Sequence, residues 1–173
     1  MPLDKFQHLD IFIKSKLAKK TFNSKEKKME IGLIEDYAVR IVLYLSQKEG
    51  KVVSRKELAE KADIPLSLLS RIGQMLEIAD LVYVQKGRGG GYKLKKKPEE
   101  LTLLDVIEAI HGKVYLNRCV ESPGFCSRSP ACPVHEVWIE VNERFRELLK
   151  RYDFRKLLTK NGDPQRKNSK KQK

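Results

Sequence analysis

The 173-residue sequence lacks long apolar runs and contains only three cysteines. No stretch approaches the ~20 consecutive apolar residues of a transmembrane helix, which argues against a membrane-embedded protein. The cysteine count is odd and no secretory signal precedes the chain, so structural disulfides are not expected. We therefore expect a cytoplasmic protein that does not engage a membrane.

The sequence also lacks the motifs of enzymes that use glycine-rich loops or Cys/His metal sites. Its glycine-rich segment 87–91 contains neither a G-x-G-x-x-G within a βαβ unit nor a phosphate loop that ends in lysine. The Cys/His segment contains neither H-E-x-x-H nor the H-x-E pairing of zinc deaminases. We expect no enzymatic activity, and a metalloenzyme is the least favoured interpretation.

Acidic residues are too few to balance the basic ones, and the formal net charge is +13. Residues 1–30 and 161–173 contribute +4 each, which leaves +5 for the rest of the chain. Segment 86–97 concentrates this charge, with six basic residues and no acidic one. A concentrated basic segment favours a polyanionic partner, and we predict double-stranded DNA.

Hydrophobic patterning divides the chain into five segments. Residues 1–28 form a basic extension that we expect to be disordered or absent from the native protein, which would then start at Met29. The other predicted segments are a DNA-binding domain (29–97), a linker helix with a cysteine loop (98–133), a dimerisation helix (134–160) and a disordered basic tail (161–173).

Two short helices with a tight turn between them indicate a helix-turn-helix. Apolar residues at helical spacing predict a first helix over 31–48. The pattern S-x-x-E at Ser54 opens a second helix, and Pro65 suits the start of a third helix over 65–78. This third helix is the predicted recognition helix. Its predicted buried stripe comprises Leu66, Leu69, Ile72 and Leu76.

A β-hairpin is predicted directly after the recognition helix, as in a winged helix-turn-helix. Its strands are expected at 81–84 and 92–94, on either side of the glycine-rich loop. Glycines permit positive φ and a close approach of the backbone to a phosphate. The predicted fold is therefore mainly α with a small β-hairpin wing, completed by a long C-terminal dimerisation helix.

A short helix is predicted to start at a cap formed by Thr102 and Asp105 and to end at His111-Gly112. A long amphipathic helix is predicted after it, over 134–151. A long apolar stripe near the end of a small domain must be packed against other residues to be shielded from water. We expect a second copy of the chain to provide these residues, in a homodimer that reads a palindromic operator. Packing within one subunit is the alternative. The predicted dimerisation residues are Val137, Trp138, Val141, Phe145 and Leu148.

Three cysteines and a histidine follow the pattern C-x6-C-x5-C-x2-H, at Cys119, Cys126, Cys132 and His135. Thiolates bind soft metals and iron–sulfur clusters, so this segment is predicted to hold a metal centre. A Cys3His zinc site has the same ligand types, although the first two gaps are wider than in zinc knuckles. Burial as small apolar residues is a third interpretation, which the prolines and serines of the segment disfavour.

The order of these elements resembles the Rrf2 family of bacterial winged-helix regulators, which includes IscR, NsrR and RirA. The likeness covers residues 29–160. It rests on Asp36-Tyr37-Ala38-Val39-Arg40, Ile64 to Leu69, Gly90-Gly91-Tyr92, the three cysteines and Cys132-Pro133-Val134-His135. The resemblance implies a transcription regulator that binds DNA.

The resemblance also implies an iron–sulfur cluster on the three cysteines, which senses nitric oxide, redox state or iron and iron–sulfur status. IscR-like members use a histidine three residues after the last cysteine, where His135 stands. NsrR-like members use an aspartate near the start of the first helix, where Asp36 stands. We favour His135 and a 2Fe–2S cluster, with Asp36 and a 4Fe–4S cluster as alternatives. A purely structural role for Asp36, as the N-terminal cap of the first helix or as a partner of its dipole, is an equally favoured interpretation.

The recognition helix is expected to enter the major groove, with Arg71 as the candidate for a bidentate contact to guanine. A phosphate contact or a solvated charge is the alternative for Arg71. Arg88 at the wing tip is expected to reach the minor groove or its flanking phosphates, and Lys95 is expected to face phosphates. The predicted DNA-binding residues are Ser67, Leu68, Ser70, Arg71, Lys86, Arg88, Gly90, Tyr92 and Lys93.

Three residues depart from the family pattern. Asp80 occupies a helix exit where relatives often have glycine, and aspartate tolerates left-handed backbone better than most residues. Gly73 and Gln74 are unusual in a recognition helix. Two other functions stay open: a regulator of the same fold with structural zinc or redox-active thiols, and a protein-binding adaptor that reads no DNA.

Overall fold

The computed structural model describes residues 31–160, which form seven α-helices and one three-stranded sheet. The helices are α1 (Leu33–Gln47), α2 (Arg55–Ala62), α3 (Leu66–Ile78), α4 (Leu103–His111), α5 (Arg118–Glu121), α6 (Pro133–Lys150) and α7 (Phe154–Lys160). The strands are β1 (Val53–Ser54), β2 (Val82–Gln85) and β3 (Gly91–Leu94). The predictions for residues 1–28 and 161–173 lie outside the described residues.

Helices α2 and α3 form the predicted helix-turn-helix. Ser54 caps α2, because its Oγ accepts a hydrogen bond from the Glu57 amide at 3.2 Å. At the other end Asp63 adopts left-handed backbone with φ 54°, and the amide of Ile64 donates to the carbonyl of Ala59 at 2.9 Å. This closure reverses the chain within a few residues and sets α3 across α2.

The core includes residues of α1, α2, α3, the sheet, α4 and α7. Helix α3 contributes a buried stripe that starts one turn later than predicted. Leu69, Ile72 and Leu76 are fully buried, whereas Leu66 is 49% exposed. Leu66 is the first residue of α3, and the preceding Ile64 is buried in its place. The prediction of Leu66 as a core residue is therefore wrong, and its side chain adds to the outer surface of the recognition helix.

Gly73 lies on the buried side of α3, where the helix packs against the ring of Tyr92 from β3. A Cβ atom at residue 73 would overlap Cε1 of that ring. Tyr92 is only 5% exposed, so the ring has little room to move away. The unusual glycine in the recognition helix is thus explained by the close approach of helix and wing.

The Gly73→Ala variant is expected to lose about 1–3 kcal/mol of unfolding free energy, because overpacking outweighs the ~1 kcal/mol gain in helix propensity. Chemical denaturation measures the change. The matched control is Gln74→Ala on the exposed face of the same helix, which is expected to stay within about 0.5 kcal/mol of wild type. A Gly73→Ala protein as stable as that control would contradict the packing assigned to Tyr92.

The wing is a three-stranded antiparallel sheet with the order β1-β3-β2, where the sequence predicts only a hairpin. Val82 pairs with Leu94 and Gln85 with Gly91 across β2 and β3, and Val53 of β1 pairs with Tyr92. A two-residue strand carries no alternating pattern, which is why β1 is absent from the prediction. It ties the wing to the start of the helix-turn-helix.

Helix α4 follows the wing and connects the two halves of the chain. Thr102 and Asp105 form the predicted cap: the Asp105 amide donates to Thr102 Oγ1 at 3.3 Å, and the Thr102 amide donates to Asp105 Oδ2 at 2.8 Å. The helix ends at His111 before Gly112, as predicted. Helix α4 contacts α1, the recognition helix α3 and the long helix α6.

The segment predicted as one dimerisation helix over 134–160 contains two helices, α6 and α7. Their junction pairs with the start of α4, because the Leu103 amide donates to the carbonyl of Tyr152 at 3.0 Å. Phe154 opens α7 and is fully buried in the main core. Helix α7 therefore belongs to the packed domain. Within residues 31–160 no helix combines the length and apolarity needed to cross a membrane.

Candidate DNA interface and metal centre

The exposed face of α3 presents Ser67, Ser70 and Arg71, with Gln74 one turn further along. Its first turn contains no acidic residue, so the partial positive charge of the helix N-terminus is not offset there. Leu68 is half-buried against the core, which makes it a packing residue with a partly exposed edge. The exposed side chains give this face hydrogen-bond donors and a positive charge.

The relative position of α2 and α3 is fixed near the start of the recognition helix. Nη2 of Arg55, the first residue of α2, donates to the carbonyl of Leu66 at 2.9 Å. Arg40 of α1 pairs with Asp36 at 2.6 Å and lies 3.9 Å from Asp63 in the turn. These contacts tie the helix-turn-helix to α1 at its exposed edge.

The wing loop between β2 and β3 places two basic side chains in solvent, those of Lys86 and Arg88. Gly87 and Gly89 adopt φ of 86° and 78°, and the Gly90 amide donates to the carbonyl of Gly87 at 3.0 Å. A tight turn of this kind needs glycine at the positive φ positions. The loop therefore holds Arg88 at its tip.

Other predicted DNA contacts of the wing have structural roles. Tyr92 is buried against Gly73 and packs in the core, which leaves its ring unavailable to a groove. A Cβ at Gly90 would overlap the carbonyl of Gln85, so the turn requires a residue without a side chain at this position. Lys93 is half-exposed on β3 and stays within reach of a ligand.

Lys95 is paired with Asp80 and is not a free phosphate-facing charge. Lys95 Nζ donates to Asp80 Oδ1 at 2.7 Å, and this hydrogen bond with the ammonium charge holds the pKa of the Asp80 carboxyl below its usual range. Asp80 has φ 60°, the left-handed backbone expected of a residue that replaces glycine at this helix exit. The pair links the end of α3 to the end of the wing.

The Arg71→Ala variant is expected to weaken operator binding by about 1–3 kcal/mol and to relax preference at one base pair. Arg71 is exposed on α3, so its loss leaves the fold intact. Fluorescence anisotropy with an operator selected by the wild type from random DNA measures both effects. Arg151→Ala, an exposed arginine after α6, is the control for charge alone. Unchanged affinity and base preference of Arg71→Ala would overturn the guanine contact assigned to Arg71, and failure of the wild type to select any operator would favour the adaptor interpretation.

Three of the four predicted metal ligands lie between α4 and α6 and the fourth lies at the start of α6; residues 112–135 are called the cysteine segment below. Cys119 lies in the short helix α5, Cys126 follows a 3₁₀ turn, and Cys132 immediately precedes α6. All three are free, half-buried thiols. His135 lies in the first turn of α6, where its amide donates to the carbonyl of Cys132 at 3.0 Å.

His135 lines a surface pocket of about 720 Å³ together with Cys132 and Ser129. The Nδ1 atom of His135 is buried and has no hydrogen-bond partner within residues 31–160, and the same is true of Ser129 Oγ. A buried polar atom without a partner costs roughly 1–3 kcal/mol. Two residues that line this pocket therefore each carry a buried polar atom that has no partner in the described part of the chain.

The donor set fits a thiolate-held inorganic centre, because free thiols and an unpartnered imidazole nitrogen are its usual ligands. In the described part of the chain, no three His, Cys, Asp or Glu side chains are gathered as metal ligands. Asp36, the alternative ligand, pairs with Arg40 at 2.6 Å in the first turns of α1. It lies where the negative charge favours the helix N-terminus.

A partly buried polar network attaches the cysteine segment to α4 and α6. Asn142 of α6 is buried, and its Oδ1 accepts from the Leu116 amide at 3.0 Å. Glu108 of α4 accepts from the Val114 amide at 2.9 Å and forms an ion pair with Arg146 of α6. The entry to the cysteine segment is therefore held by both helices that flank it.

The predicted dimerisation stripe is mostly left uncovered by residues 31–160. Val137, Trp138, Val141 and Leu148 are exposed on α6, whereas Phe145 is half-buried against the cluster of Leu149 and α4. Phe145 thus supports α6 on α4, and the other four residues form an open apolar face.

Sequence analysis missed Ser129, Asn142 and the Glu108–Arg146 pair. Asn142 directly follows Val141 of the apolar stripe in sequence, and a polar residue at such a position only weakly predicts burial. The Glu108–Arg146 pair joins residues 38 positions apart, and no local pattern predicts it. Ser129 is one of several serines in the segment, and only its burial distinguishes it.

The fold, together with the exposed basic side chains of α3 and the wing loop, defines a DNA-binding winged helix-turn-helix protein. The family model for Rrf2, described as an iron-dependent transcriptional regulator, matches residues 35–160. The chain belongs to the Rrf2 family. Its relatives are named as transcriptional regulators, which confirms the expectation of a DNA-binding regulator that is not an enzyme.

Three known proteins illustrate the likeness. The regulator IscR of Aliivibrio salmonicida is 32% identical over 127 residues, or 72% of this chain and 74% of IscR. NsrR of Shouchella clausii is 28% identical over 137 residues, or 78% and 92%. The structure of CymR, the global cysteine regulator of B. subtilis, matches with a TM-score of 0.62 at 23% identity, covering 76% of this chain and 98% of CymR.

Proposed function

We propose that this regulator holds an iron–sulfur cluster on Cys119, Cys126, Cys132 and His135, and that the state of the cluster sets its affinity for DNA. The observation that carries the proposal is the buried, unpartnered Nδ1 of His135, on a residue that lines one pocket with Cys132. A thiolate-held centre gives that nitrogen a partner. The relatives named IscR and NsrR support the same function.

His135 is the proposed fourth ligand, because it shares the segment with the cysteines, whereas Asp36 is engaged by Arg40. A histidine ligand suits a 2Fe–2S centre, which we favour over 4Fe–4S. When bound, the cluster supplies a group that nitric oxide, oxygen, peroxide or iron shortage alters. The residues of this chain hold it and couple the cysteine segment to the rest of the domain.

The coupling is proposed to run through the partly buried network around Asn142 and Glu108. Asn142 holds the backbone of the cysteine segment at Leu116, and Glu108 holds it at Val114. Glu108 is part of α4, which packs directly on the recognition helix α3. A shift of the cysteine segment is thereby passed to the helix that reads DNA.

The regulator is proposed to act as a homodimer on a palindromic operator. The open apolar face of α6 supports this proposal, because a stripe of exposed Val, Trp and Leu side chains is covered most simply by its symmetry-related copy. In a dimer, α4 and α6 set the spacing of the two recognition helices, and half-sites lie one helical turn apart.

Purification without oxygen tests the cluster. The wild-type protein is expected to be coloured, with iron and sulfide in the preparation, whereas Cys126→Ala is expected to lose the visible absorption. Ser127→Ala, the exposed neighbouring residue, is the matched control and is expected to keep it. A colourless wild-type protein free of iron would overturn the proposal and leave DNA binding untouched.

A regulator with structural zinc or redox-active thiols is the second candidate. The free, half-buried state of the three thiols suits zinc ligation or reversible oxidation. Metal analysis separates the two candidates. Zinc in the wild type, or reversible loss of thiol titre on oxidation of a metal-free protein, would support the second.

A further inference from the structure

Ser129 is buried beside the predicted metal ligands, although its residue type and position gave no sign of a role. It opens the 3₁₀ turn Ser129–Ala131, three residues before Cys132, and its residue is only 7% exposed. Its amide donates to the carbonyl of Cys126 at 3.0 Å. The backbone contact therefore fixes Ser129 between two of the predicted ligands.

The hydroxyl of Ser129 has no hydrogen-bond partner in the part of the chain that the structure describes. A buried hydroxyl is ordinarily satisfied, since its desolvation costs roughly 1–3 kcal/mol. The pocket that Ser129 lines also contains Cys132 and His135, whose Nδ1 is the other buried unpartnered atom of the described residues. Both unsatisfied groups thus belong to one site.

We propose that Ser129 is a binding residue of this site, whose hydroxyl donates a hydrogen bond to a sulfur of the bound iron–sulfur centre. The inference rests on the proposed function and adds a residue outside the set of metal ligands. A hydroxyl donates readily to an electron-rich sulfur, and hydrogen bonds to cluster sulfurs stabilise the more negative, reduced state. Ser129 therefore helps to retain the centre and raises its reduction potential.

The test compares Ser129→Ala with wild type, using protein purified without oxygen. The rate at which a chelator removes the visible absorption is expected to rise about 10–100-fold, in proportion to the loss of metal affinity that follows removal of an outer hydrogen bond. The reduction potential is expected to become more negative. Ser129→Thr keeps the hydroxyl and is expected to lose its visible absorption as slowly as wild type. Ser127→Ala is the matched control in the same segment.

A second readout uses the metal-free protein and separates binding from folding. Ser129→Ala removes an unsatisfied buried hydroxyl, so the metal-free variant is expected to melt at the same temperature as wild type or higher. A lower melting temperature of the metal-free variant would mean that the hydroxyl supports the fold, and would overturn the inference.

The remaining outcomes distinguish this inference from the proposed function. If wild type and Ser129→Ala both hold iron and sulfide and lose them at the same rate, the role of Ser129 is overturned and the cluster stands. If wild type holds neither iron nor sulfide, the proposed function falls and the role of Ser129 falls with it.

Discussion

A Val141→Asp protein is expected to be monomeric and to bind its operator about 10²–10⁴-fold more weakly than wild type. Two linked recognition helices make the second half-site contact intramolecular, and separation of the subunits removes that advantage. Val141 is 40% exposed on the open face of α6, between Trp138 and Leu148. An aspartate there places two like charges in the apolar interface of the proposed dimer.

Light scattering coupled to size-exclusion chromatography measures the mass, and anisotropy with the selected operator measures the affinity. Glu143→Gln lies on the opposite, exposed face of α6 and is the control for altered charge on this helix. It is expected to remain dimeric. The far-ultraviolet circular dichroism of Val141→Asp is expected to match wild type, because the residue is not in the core. A dimeric Val141→Asp protein with full affinity would refute the dimerisation role of α6.

The second large effect is expected from Phe154→Ala, which should lower the unfolding free energy by about 3–5 kcal/mol. Phe154 is fully buried in the main core, and its amide donates to the carbonyl of Leu101 at 2.9 Å. Removal of the ring leaves a cavity between α7 and the rest of the domain. A small domain has an unfolding free energy of roughly 5–15 kcal/mol in total, so the variant keeps little net stability.

Arg155→Ala is the neighbouring control for Phe154→Ala. Arg155 pairs with Glu49 and Glu99 at 2.6 and 3.1 Å, and these carboxylates raise its pKa. All three side chains are well exposed, and exposed ion pairs contribute about 1 kcal/mol or less. Urea denaturation compares the two variants. Similar, small losses for both would show that α7 is not part of the core.

Local chemistry predicted the helix ends well. The cap formed by Thr102 and Asp105 and the stop at Gly112 depend on a few adjacent residues, and the structure has both. The left-handed backbone of Asp80 agrees with the glycine that relatives often have at this helix exit. Signals of this kind are readable because cause and effect lie within one turn of chain.

Features that depend on distant contacts were missed or misjudged. Tyr92 was predicted to contact DNA, but the absence of a side chain at Gly73 gives its ring a place in the core. Phe154 was assigned to a long dimerisation helix, although pairing with the start of α4 breaks that helix. Neither relation is visible in a local pattern, since each joins residues far apart in sequence.

The same distinction between local patterns and distant contacts applies to the candidate site. The spacing of Cys119, Cys126, Cys132 and His135 predicted the donors of a metal centre, and the resemblance to Rrf2 regulators, confirmed as family membership, assigned them to a cluster. Burial alone distinguishes Ser129 from the other serines of the segment. The fourth ligand, the nature of the centre and the dimer stay predictions.

The most direct measurement compares the operator affinity of one protein in two states, loaded with its cluster and emptied by a chelator without oxygen, and adds Cys126→Ala as a third sample. The account predicts that the emptied protein and Cys126→Ala agree with each other and differ from the loaded protein by about 5–150-fold, the usual range of coupling between two sites. Equal affinities in all three samples would contradict it.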